Sequence, residues 1–235
     1  MDTIQSKVQQ QRARLSQACE QSGRPSGDVL LLAVSKFHPA ACVQAAFEAG
    51  LRHFGENYVQ EGLEKIEALG ALRSQLTWHL IGPLQANKTR VVAEQFDWVH
   101  TVDRLKIAER LSAQRPPGHA PLQVCIQVNV SGEESKSGVM PADVIALAQA
   151  VARLPNLRLR GLMSIPEPTD DLALQRAQHR QLAALLAQLN SQGLALDVLS
   201  MGMSADLEAA VAEGSTMVRI GTAIFGSRPV KSQAG

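Results

Sequence analysis

The sequence predicts an α/β protein whose parallel strands close into a single (β/α)8 TIM barrel, with an extra N-terminal helix. Strand-like and helical segments alternate along the whole chain, and eight such units fit a closed barrel. Several strand-like segments are nearly continuous in Val, Leu and Ile, which is typical of parallel strands covered on both faces. The alternative is an open doubly wound sheet. No GxGxxG follows the first strand, which argues against dinucleotide binding, the commonest function of such sheets, but not against the topology itself.

The elements are predicted in chain order. A polar helix over about 2–21 fills the leading segment 1–22, and residues 228–235 are expected to be a frayed tail. Strands are predicted at 29–35, 52–55, 77–82, 98–102, 122–130, 157–165, 196–202 and 217–221. The helices that follow them are predicted at 39–49, 58–69, 85–95, 104–113, 142–154, 171–193, 205–213 and from about 223. Asp103 is expected to cap the helix after the fourth strand, and Gly193 to end the long one.

Composition limits the class of protein. The 235 residues are 45% hydrophobic and 19% charged with a net charge of +1, so we expect one folded domain over 1–235 with no attraction to nucleic acid or membranes. The N-terminus is polar and helical, unlike a signal peptide. Cys19, Cys42 and Cys125 are far apart, which favours neither a disulfide framework nor a zinc site. A reduced, cytoplasmic protein is the expectation.

Lys36 follows directly after the buried-looking segment LLLAVS. Active sites of such barrels lie at the C-terminal ends of the strands, so Lys36 is expected at that mouth. Partial desolvation there favours the neutral amine, which attacks aldehydes to form a Schiff base. A lysine that merely extends into water from the rim would have the same position in the sequence, and position alone does not choose between these interpretations.

The segments after strands 7 and 8 have the features of a phosphate site. Ser200 ends strand 7, Ser204 stands where a helix N-cap belongs, and Gly221 and Thr222 end strand 8. Backbone N–H groups at helix N-termini bind phosphate, and barrels of this class frequently bind it after these two strands. Ordinary capping with a glycine turn would explain either segment alone, but both together favour phosphate.

Arg219 lies inside the apolar strand MVRIG, where a charge is costly unless it is paired or hydrogen-bonded. We expect it to face an acceptor in the barrel mouth, and a salt bridge with a neighbouring strand is the alternative. An aldehyde-binding lysine, a phosphate site and a buried arginine together describe pyridoxal 5′-phosphate (PLP). An arginine partner would leave the pyridine nitrogen unprotonated, which makes the ring a weaker electron sink.

Other chemistry is less well supported. Four histidines near strand ends lack HxxxH or HxH spacing, so core or rim positions are expected and no metal site is predicted; they are His38, His53, His79 and His100. Lys136 in the loop after strand 5 is expected to be solvated, with a second PLP or phosphate as the alternative. Ser35, Ser200 and Ser204 have no His/Asp partners in the sequence, which argues against a hydrolase.

The chain resembles the YggS/PROSC family of pyridoxal phosphate homeostasis proteins through LLAVSK, FGENYVQE, WHLIGPLQANK, QVNVSGEESKSG, LRGLMSIP and MGMSADLEAAVAEGSTMVRIGTAIFG. The resemblance implies a barrel like the N-terminal domain of alanine racemase. It implies a Schiff base on Lys36 and a contact between Arg219 and the pyridine nitrogen. It also implies cofactor contacts whose residues are Asn57 near the ring and Ser200, Gly221, Thr222 and Ser204 at the phosphate. Phe37 and His38 depart slightly from the family text and are expected to alter only the rim.

The resemblance implies a PLP-binding homeostasis protein that holds PLP without turnover, with PLP-dependent apo-enzymes and amino acids as further partners and a monomer or weak dimer as its state. No residue is predicted to be catalytic. The alternative is a PLP-dependent amino-acid racemase. Racemases of this fold use a tyrosine from a second domain as their second base, and we expect too few residues after strand 8 for such a domain. A water, a histidine or Lys136 is the alternative second base. Tyr58, the single tyrosine, is expected to begin a helix.

Overall fold

The computed structural model describes residues 3–131 and 137–227, which form a closed barrel of eight strands in sequential order with every neighbouring pair parallel. The strands are β1 Leu30–Val34, β2 His53–Glu56, β3 Thr77–Leu80, β4 Trp98–Val102, β5 Leu122–Gln127, β6 Leu157–Met163, β7 Val198–Ser200 and β8 Met217–Ile220. The helices are α1 Ile4–Gln21, α2 Ala40–Glu48, α3 Val59–Ala68, α4 Thr89–Gln95, α5 Leu105–Gln114, α6 Val144–Ala152, α7 Leu172–Ser191, α8 Leu207–Ala212 and α9 Thr222–Phe225. The predicted fold class is therefore confirmed.

The barrel closes between the first and last strands. Leu32 is the register partner of Arg219, and Ala33 is the partner of Ile220. This pairing brings the end of β8 beside the end of β1, as the closed barrel required. Residues from the two ends of the chain therefore meet at one edge of the mouth.

Two apolar clusters stabilise the barrel. The larger lies between the strands and the surrounding helices and includes Phe54, Trp78 and Leu162, all fully buried. The smaller takes alternate residues of the strands, such as Leu32 and Met163, and fills the barrel interior. Side chains of one strand alternate between these clusters because successive residues point to opposite faces.

The N-terminal helix α1 packs against α2, α8 and α9 and is therefore part of the outer layer. Thr3 caps it by accepting a hydrogen bond from the N–H of Ser6 at 3.1 Å. Its Arg14 makes a two-pronged ion pair with Glu208, with both N···O distances at 2.7 Å. Helix α1 thus supports the segment that follows β7.

Several predicted boundaries are corrected. Asp103 does not cap α5: the N-cap is Arg104, and the Asp103 carboxylate accepts a hydrogen bond from that guanidinium instead. The predicted helices at 85–95 and 142–154 each begin with a short 3-10 turn, at 86–88 and 141–143. Strand β5 ends at Gln127, and Val128 makes only an isolated bridge with Val139. Gly193 does follow the end of α7, with a φ of +92°.

All three cysteines are free thiols, and Cys19 and Cys125 are buried. Within the described ranges, no helix has the length and apolar character needed to cross a membrane. The predicted tail, 228–235, lies outside the described residues.

Candidate functional site

A cavity of about 400 Å³ lies at the C-terminal ends of the strands. Its wall combines residues that follow six of the eight strands or end them. The lining residues are Val34, Lys36, Asn57, Ile81, Ile165, Met203, Ser204, Ala205, Arg219, Gly221 and Thr222. Six of the seven residues predicted as cofactor contacts lie on this wall, and the seventh, Ser200, lies behind it.

Arg219 reaches the cavity from inside the barrel and is 4% exposed. Its Nη1 donates to the carbonyl oxygen of Ser200 at 2.5 Å and to Ser200 Oγ at 2.8 Å, and its Nη2 donates to the carbonyl oxygen of Ser164 at 2.8 Å. Within the described residues no carboxylate forms an ion pair with Arg219, so the acceptors of its hydrogen bonds are neutral oxygens. Burial lowers the pKa of Arg219 to about 10, with the charge of Asp206 opposing the shift, and the guanidinium stays protonated at neutral pH.

Ser200 is fully buried, and its hydroxyl is engaged by Arg219 and by His100 Nδ1, at 2.8 Å each. The structure therefore places Ser200 as a support for the guanidinium rather than on the cavity wall. The position of Ser200 at the end of β7 suggested a phosphate contact, but its side chain points into the barrel, toward His100 and Arg219.

Asn57 follows β2 and presents a buried Oδ1 that has no hydrogen-bond partner among the described residues. Its backbone is held by a close approach of Gly82, since a Cβ on that glycine would lie 2.0 Å from the carbonyl oxygen of Asn57. Only glycine fits there. The Oδ1 atom of Asn57 is therefore a hydrogen-bond acceptor without a partner in the described residues, on a backbone segment that Gly82 holds in place.

Lys36 stands at a sharp turn directly after β1. Phe37 has a φ of +67°, in the left-handed region where a bulky side chain is strained by about 1–2 kcal/mol. The N–H of Phe37 donates to Glu61 Oε1, and its ring contacts Tyr58 at a centroid distance of 5.4 Å. These contacts hold the backbone turn that follows Lys36, and Lys36 itself lies on the cavity wall.

A buried ionic cluster lies beneath this turn. Lys65 Nζ donates to Glu56 Oε1 at 2.7 Å, to Glu61 Oε1 at 2.8 Å and to the carbonyl oxygen of Ser35 at 2.7 Å. Ser35 Oγ also donates to Glu56 Oε1, at 2.6 Å. Burial raises the pKa of Glu56, and Lys65 opposes that rise. Sequence reasoning missed this cluster, although the i, i+4 spacing of Glu61 and Lys65 was visible.

The segment after β7 forms the opposite wall. Ser204 is not the N-cap of α8: Asp206 holds that position and accepts a hydrogen bond from the N–H of Met203 at 2.6 Å. Buried His179 Nε2 bonds Asp206 Oδ2 at 2.9 Å, and Arg14 of α1 donates to the carbonyl oxygen of Ser204 at 2.9 Å. The capping expectation for Ser204 fails because the carboxylate of Asp206 closes the turn, yet Ser204 still lines the cavity.

A second cavity of about 430 Å³ lies at the opposite, N-terminal end of the barrel. Arg12 and Arg52 line it, but their Nη atoms donate to backbone carbonyls, including those of Gly50 and Leu51 at 2.8 Å. No phosphate-type segment or lysine lines this cavity among the described residues. The C-terminal cavity is therefore the candidate site.

The remaining predicted groups fall elsewhere. Tyr58 precedes α3, is 53% exposed and is absent from the lining of the cavity. Among residues 3–131 and 137–227, no cluster of three or more His, Cys, Asp or Glu is placed to hold a metal ion. The Lys136 prediction lies outside the described residues.

Comparison with known proteins gives the class to which this barrel belongs. Residues 5–229 match the family model described as alanine racemase, N-terminal domain. Alanine racemase from Clostridium difficile shares the fold, with a TM-score of 0.74 over 96% of this chain and 58% of that one, at 14% identity.

More similar proteins narrow the class. The pyridoxal phosphate homeostasis protein of Pseudomonas aeruginosa is 60% identical over 97% of both chains, and that of Escherichia coli K12 is 53% identical over 97% and 98%. The structure of PipY from Synechococcus elongatus with PLP bound has a TM-score of 0.83 and 40% identity over 95% of this chain and all of that one. The chain belongs to the family of pyridoxal phosphate homeostasis proteins.

Proposed function

We propose that the chain binds PLP in the C-terminal cavity and serves intracellular PLP homeostasis, holding the cofactor on Lys36 without turnover. The observation that carries the proposal is the meeting of Lys36 and Arg219 on one cavity wall, since an amine for the aldehyde and a donor for the ring nitrogen are what PLP requires. PLP bound to PipY, at 40% identity, supports it. Delivery of PLP to apo-enzymes and a response to amino acids are further parts of the proposal.

The polar groups of the cavity fit PLP. A guanidinium has five N–H donors, and three hydrogen bonds from Arg219 go to serine oxygens within the described residues. Donors therefore remain for an acceptor in the cavity, such as a pyridine nitrogen. The buried Oδ1 of Asn57 has no hydrogen-bond partner within residues 3–131 and 137–227, so it is available to a hydroxyl donor on a bound ring.

We assign the phosphate to the wall formed by Ser204, Gly221 and Thr222. Ser204 and Thr222 bring hydroxyl groups to the cavity, and Gly221 permits close approach because it has no side chain. These residues follow the seventh and eighth strands, where barrels of this class frequently bind phosphate. In this assignment Ser200 contributes through Arg219.

When bound, PLP supplies an aldehyde that an amine converts to a Schiff base, and Lys36 is the amine on the cavity wall. Arg219 remains charged and so would donate to the ring nitrogen without giving up its proton. Asn57 would orient the ring, and the apolar side chains of Val34 and Ile81 on the cavity wall would exclude water from it. These are holding functions rather than steps of a reaction.

The proposal of no turnover rests on the cavity wall. Among the described lining residues, Lys36 is the single side chain of the types that commonly serve as catalytic bases, namely Lys, His, Asp, Glu, Tyr and Cys. Tyr58 is exposed and contacts Phe37 at the rim. A racemase needs a second base on the other face of the substrate, and the described wall does not supply one.

The test is exchange of the α-proton of an amino acid in D₂O. The protein is loaded with PLP and incubated with L-alanine and a panel of other amino acids, and deuterium incorporation is followed by NMR. We expect no exchange above that of free PLP at the same concentration, with a bona fide alanine racemase as the positive control. Exchange at racemase-like rates would replace homeostasis by racemisation as the function.

A further inference from the structure

Three histidines inside the barrel are joined end to end by direct hydrogen bonds. His53 Nδ1 lies 3.0 Å from His79 Nε2, and His79 Nδ1 lies 2.9 Å from His100 Nε2. His100 Nδ1 lies 2.8 Å from Ser200 Oγ, which Arg219 also contacts. This histidine chain, made of His53, His79 and His100, crosses the barrel interior from β2 to Ser200 on β7 and ends on the Arg219 guanidinium at the candidate site.

All three imidazoles are neutral at pH 7. Burial lowers the pKa of His100 to about 3, and the charge of Arg219 adds to that shift. Burial likewise lowers the pKa of His79 well below its usual value, and that of His53 less strongly. Each ring therefore carries one N–H hydrogen, and each link of the chain needs one hydrogen.

These two conditions leave two arrangements. If His79 carries its hydrogen on Nε2, it donates to His53 Nδ1, and its bare Nδ1 must accept from His100 Nε2. If His79 carries it on Nδ1, both neighbours must carry theirs on Nδ1 as well. The three rings thus share one tautomer, because a mixed set would place two lone pairs or two hydrogens against each other.

Arg219 selects between the two arrangements. Ser200 Oγ accepts from Arg219 Nη1, so in the Nε2–H arrangement its own hydrogen goes to His100 Nδ1 and each link from His53 to Ser200 contains one hydrogen. In the Nδ1–H arrangement Ser200 accepts from both sides, and its buried hydroxyl hydrogen has no acceptor among the described residues. An unsatisfied buried donor is unfavourable. The field of the guanidinium acts in the same direction, because it favours bare nitrogens that face the charge.

We propose that His53, His79 and His100 form a chain of Nε2–H tautomers that positions Ser200, and through it Arg219, at the mouth of the barrel. The histidines are positioning residues, since they touch the guanidinium only through Ser200. Because no carboxylate of the described residues pairs with Arg219, the histidine chain supports the guanidinium instead, by turning a lone pair of Ser200 Oγ toward it. The relevance of the histidine chain to PLP binding rests on the proposed function. The histidine chain itself is a property of the protein without PLP.

The first test is the tautomer of each ring. Long-range ¹H–¹⁵N correlation spectra of the labelled full-length protein, without PLP, distinguish Nδ1–H from Nε2–H, and single histidine substitutions assign the signals. We expect the Nε2–H pattern for all three rings at pH 7. A single ring found as Nδ1–H, as a mixture or as a cation would overturn the proposal.

The second test asks whether the chain acts on Arg219. His79→Phe breaks the middle of the chain and keeps a ring of similar size. Trp98→Phe is the matched control, since Trp98 stacks on His79 at 5.3 Å but contributes no hydrogen bond to the chain. We expect hydrogen exchange of the Arg219 guanidinium to accelerate about fivefold or more in His79→Phe, as for loss of a buried hydrogen bond, and to change little in the control.

A double-mutant cycle with Ser200→Ala then separates positioning from general loosening. In the Ser200→Ala background the connection is already cut, so His79→Phe should leave Arg219 exchange unchanged. Additive effects of the two substitutions would contradict the proposal. If His79→Phe does not fold, the tautomers of the unaltered protein still decide. PLP binding is measured separately, so failure of the PLP proposal and failure of the histidine chain give different results.

Discussion

Arg219 is the register partner of Leu32 across the junction where β8 meets β1, and Lys36 follows that same strand. Barrel closure therefore puts the guanidinium and the lysine on one cavity, although they come from opposite ends of the chain. Neither residue identifies the site alone. The strand pairing brings two residues that are each unusual within their own strand onto one cavity wall.

The Arg219 contact is tested by Arg219→Gln. Glutamine keeps an amide donor but loses the charge and the fork that donates to Ser200 and Ser164. A charge-assisted hydrogen bond contributes about 1.5–3 kcal/mol, so we expect PLP affinity to fall by about tenfold to a hundredfold. Equilibrium dialysis against PLP measures it, with exposed Arg104→Gln as the control. Equal affinities in both variants would make Arg219 purely structural.

The buried cluster beneath the lysine turn is tested by Lys65→Met. Removal of Lys65 leaves the carboxylate of Glu56 without its cationic partner at a fully buried position. We expect the free energy of unfolding in urea to fall by about 3–5 kcal/mol. Arg104→Ala, which breaks an exposed pair with Asp103, should cost no more than about 1 kcal/mol. Similar losses in the two variants would contradict the assigned role of the cluster.

The three histidines of the barrel interior predict a pH dependence of stability. His53, His79 and His100 each have a lower pKa in the folded protein than in the unfolded chain, so the unfolded chain binds more protons as the pH drops below about 6.5. For His100 the loss continues toward about pH 3 and amounts to about 1.4 kcal/mol per pH unit.

Urea unfolding at pH 7.5 and pH 5.0 checks this dependence. Carboxylates with lowered pKa, such as Asp206 with an ordinary value of 3.8, contribute only at more acidic pH, and Glu56, whose pKa is raised, opposes the histidines as one group against three. We expect lower stability at pH 5.0 and the same decrease in His119→Gln, which changes an exposed histidine. Equal stability at the two pH values would show that the histidines are not buried as neutral rings.

The segment that carries Asn57 is tested by Gly82→Ala. The added Cβ would lie 2.0 Å from the carbonyl oxygen of Asn57 and must displace that backbone. We expect a lower melting temperature together with weaker PLP retention. Gly70→Ala is the control, because a Cβ there meets no atom within 4 Å. Loss of stability with unchanged PLP affinity would argue against a cofactor role for Asn57.

Much of the fold follows from sequence patterns. Apolar runs such as LLLAV and the regular alternation of strands and helices predicted eight units, and their order in the barrel is confirmed. Local capping was less predictable. Asp103 and Ser204 both have the residue type of an N-cap, but ion pairing with Arg104 and the side chain of Asp206 override that preference. Such competition depends on neighbours that a short sequence window does not contain.

The candidate site was predictable only in part, because some of its residues stand out within a short sequence window and others do not. Lys36 and Arg219 are unusual within their own strands, so the sequence alone drew attention to them. The supports behind them gave weaker signals. The link from His100 to Ser200 joins residues on different strands, and Lys65 meets the carbonyl of Ser35 only in the folded barrel. Long-range contacts of this kind need the strand register.

The most direct test of the account is the site of covalent attachment. The protein is loaded with PLP, reduced with borohydride, digested and analysed by mass spectrometry, beside Lys36→Ala and the control Lys88→Ala. We predict a stoichiometric adduct on Lys36 in the unaltered protein and in Lys88→Ala, and none in Lys36→Ala. A stoichiometric adduct that persists in Lys36→Ala on another lysine would contradict the proposed site.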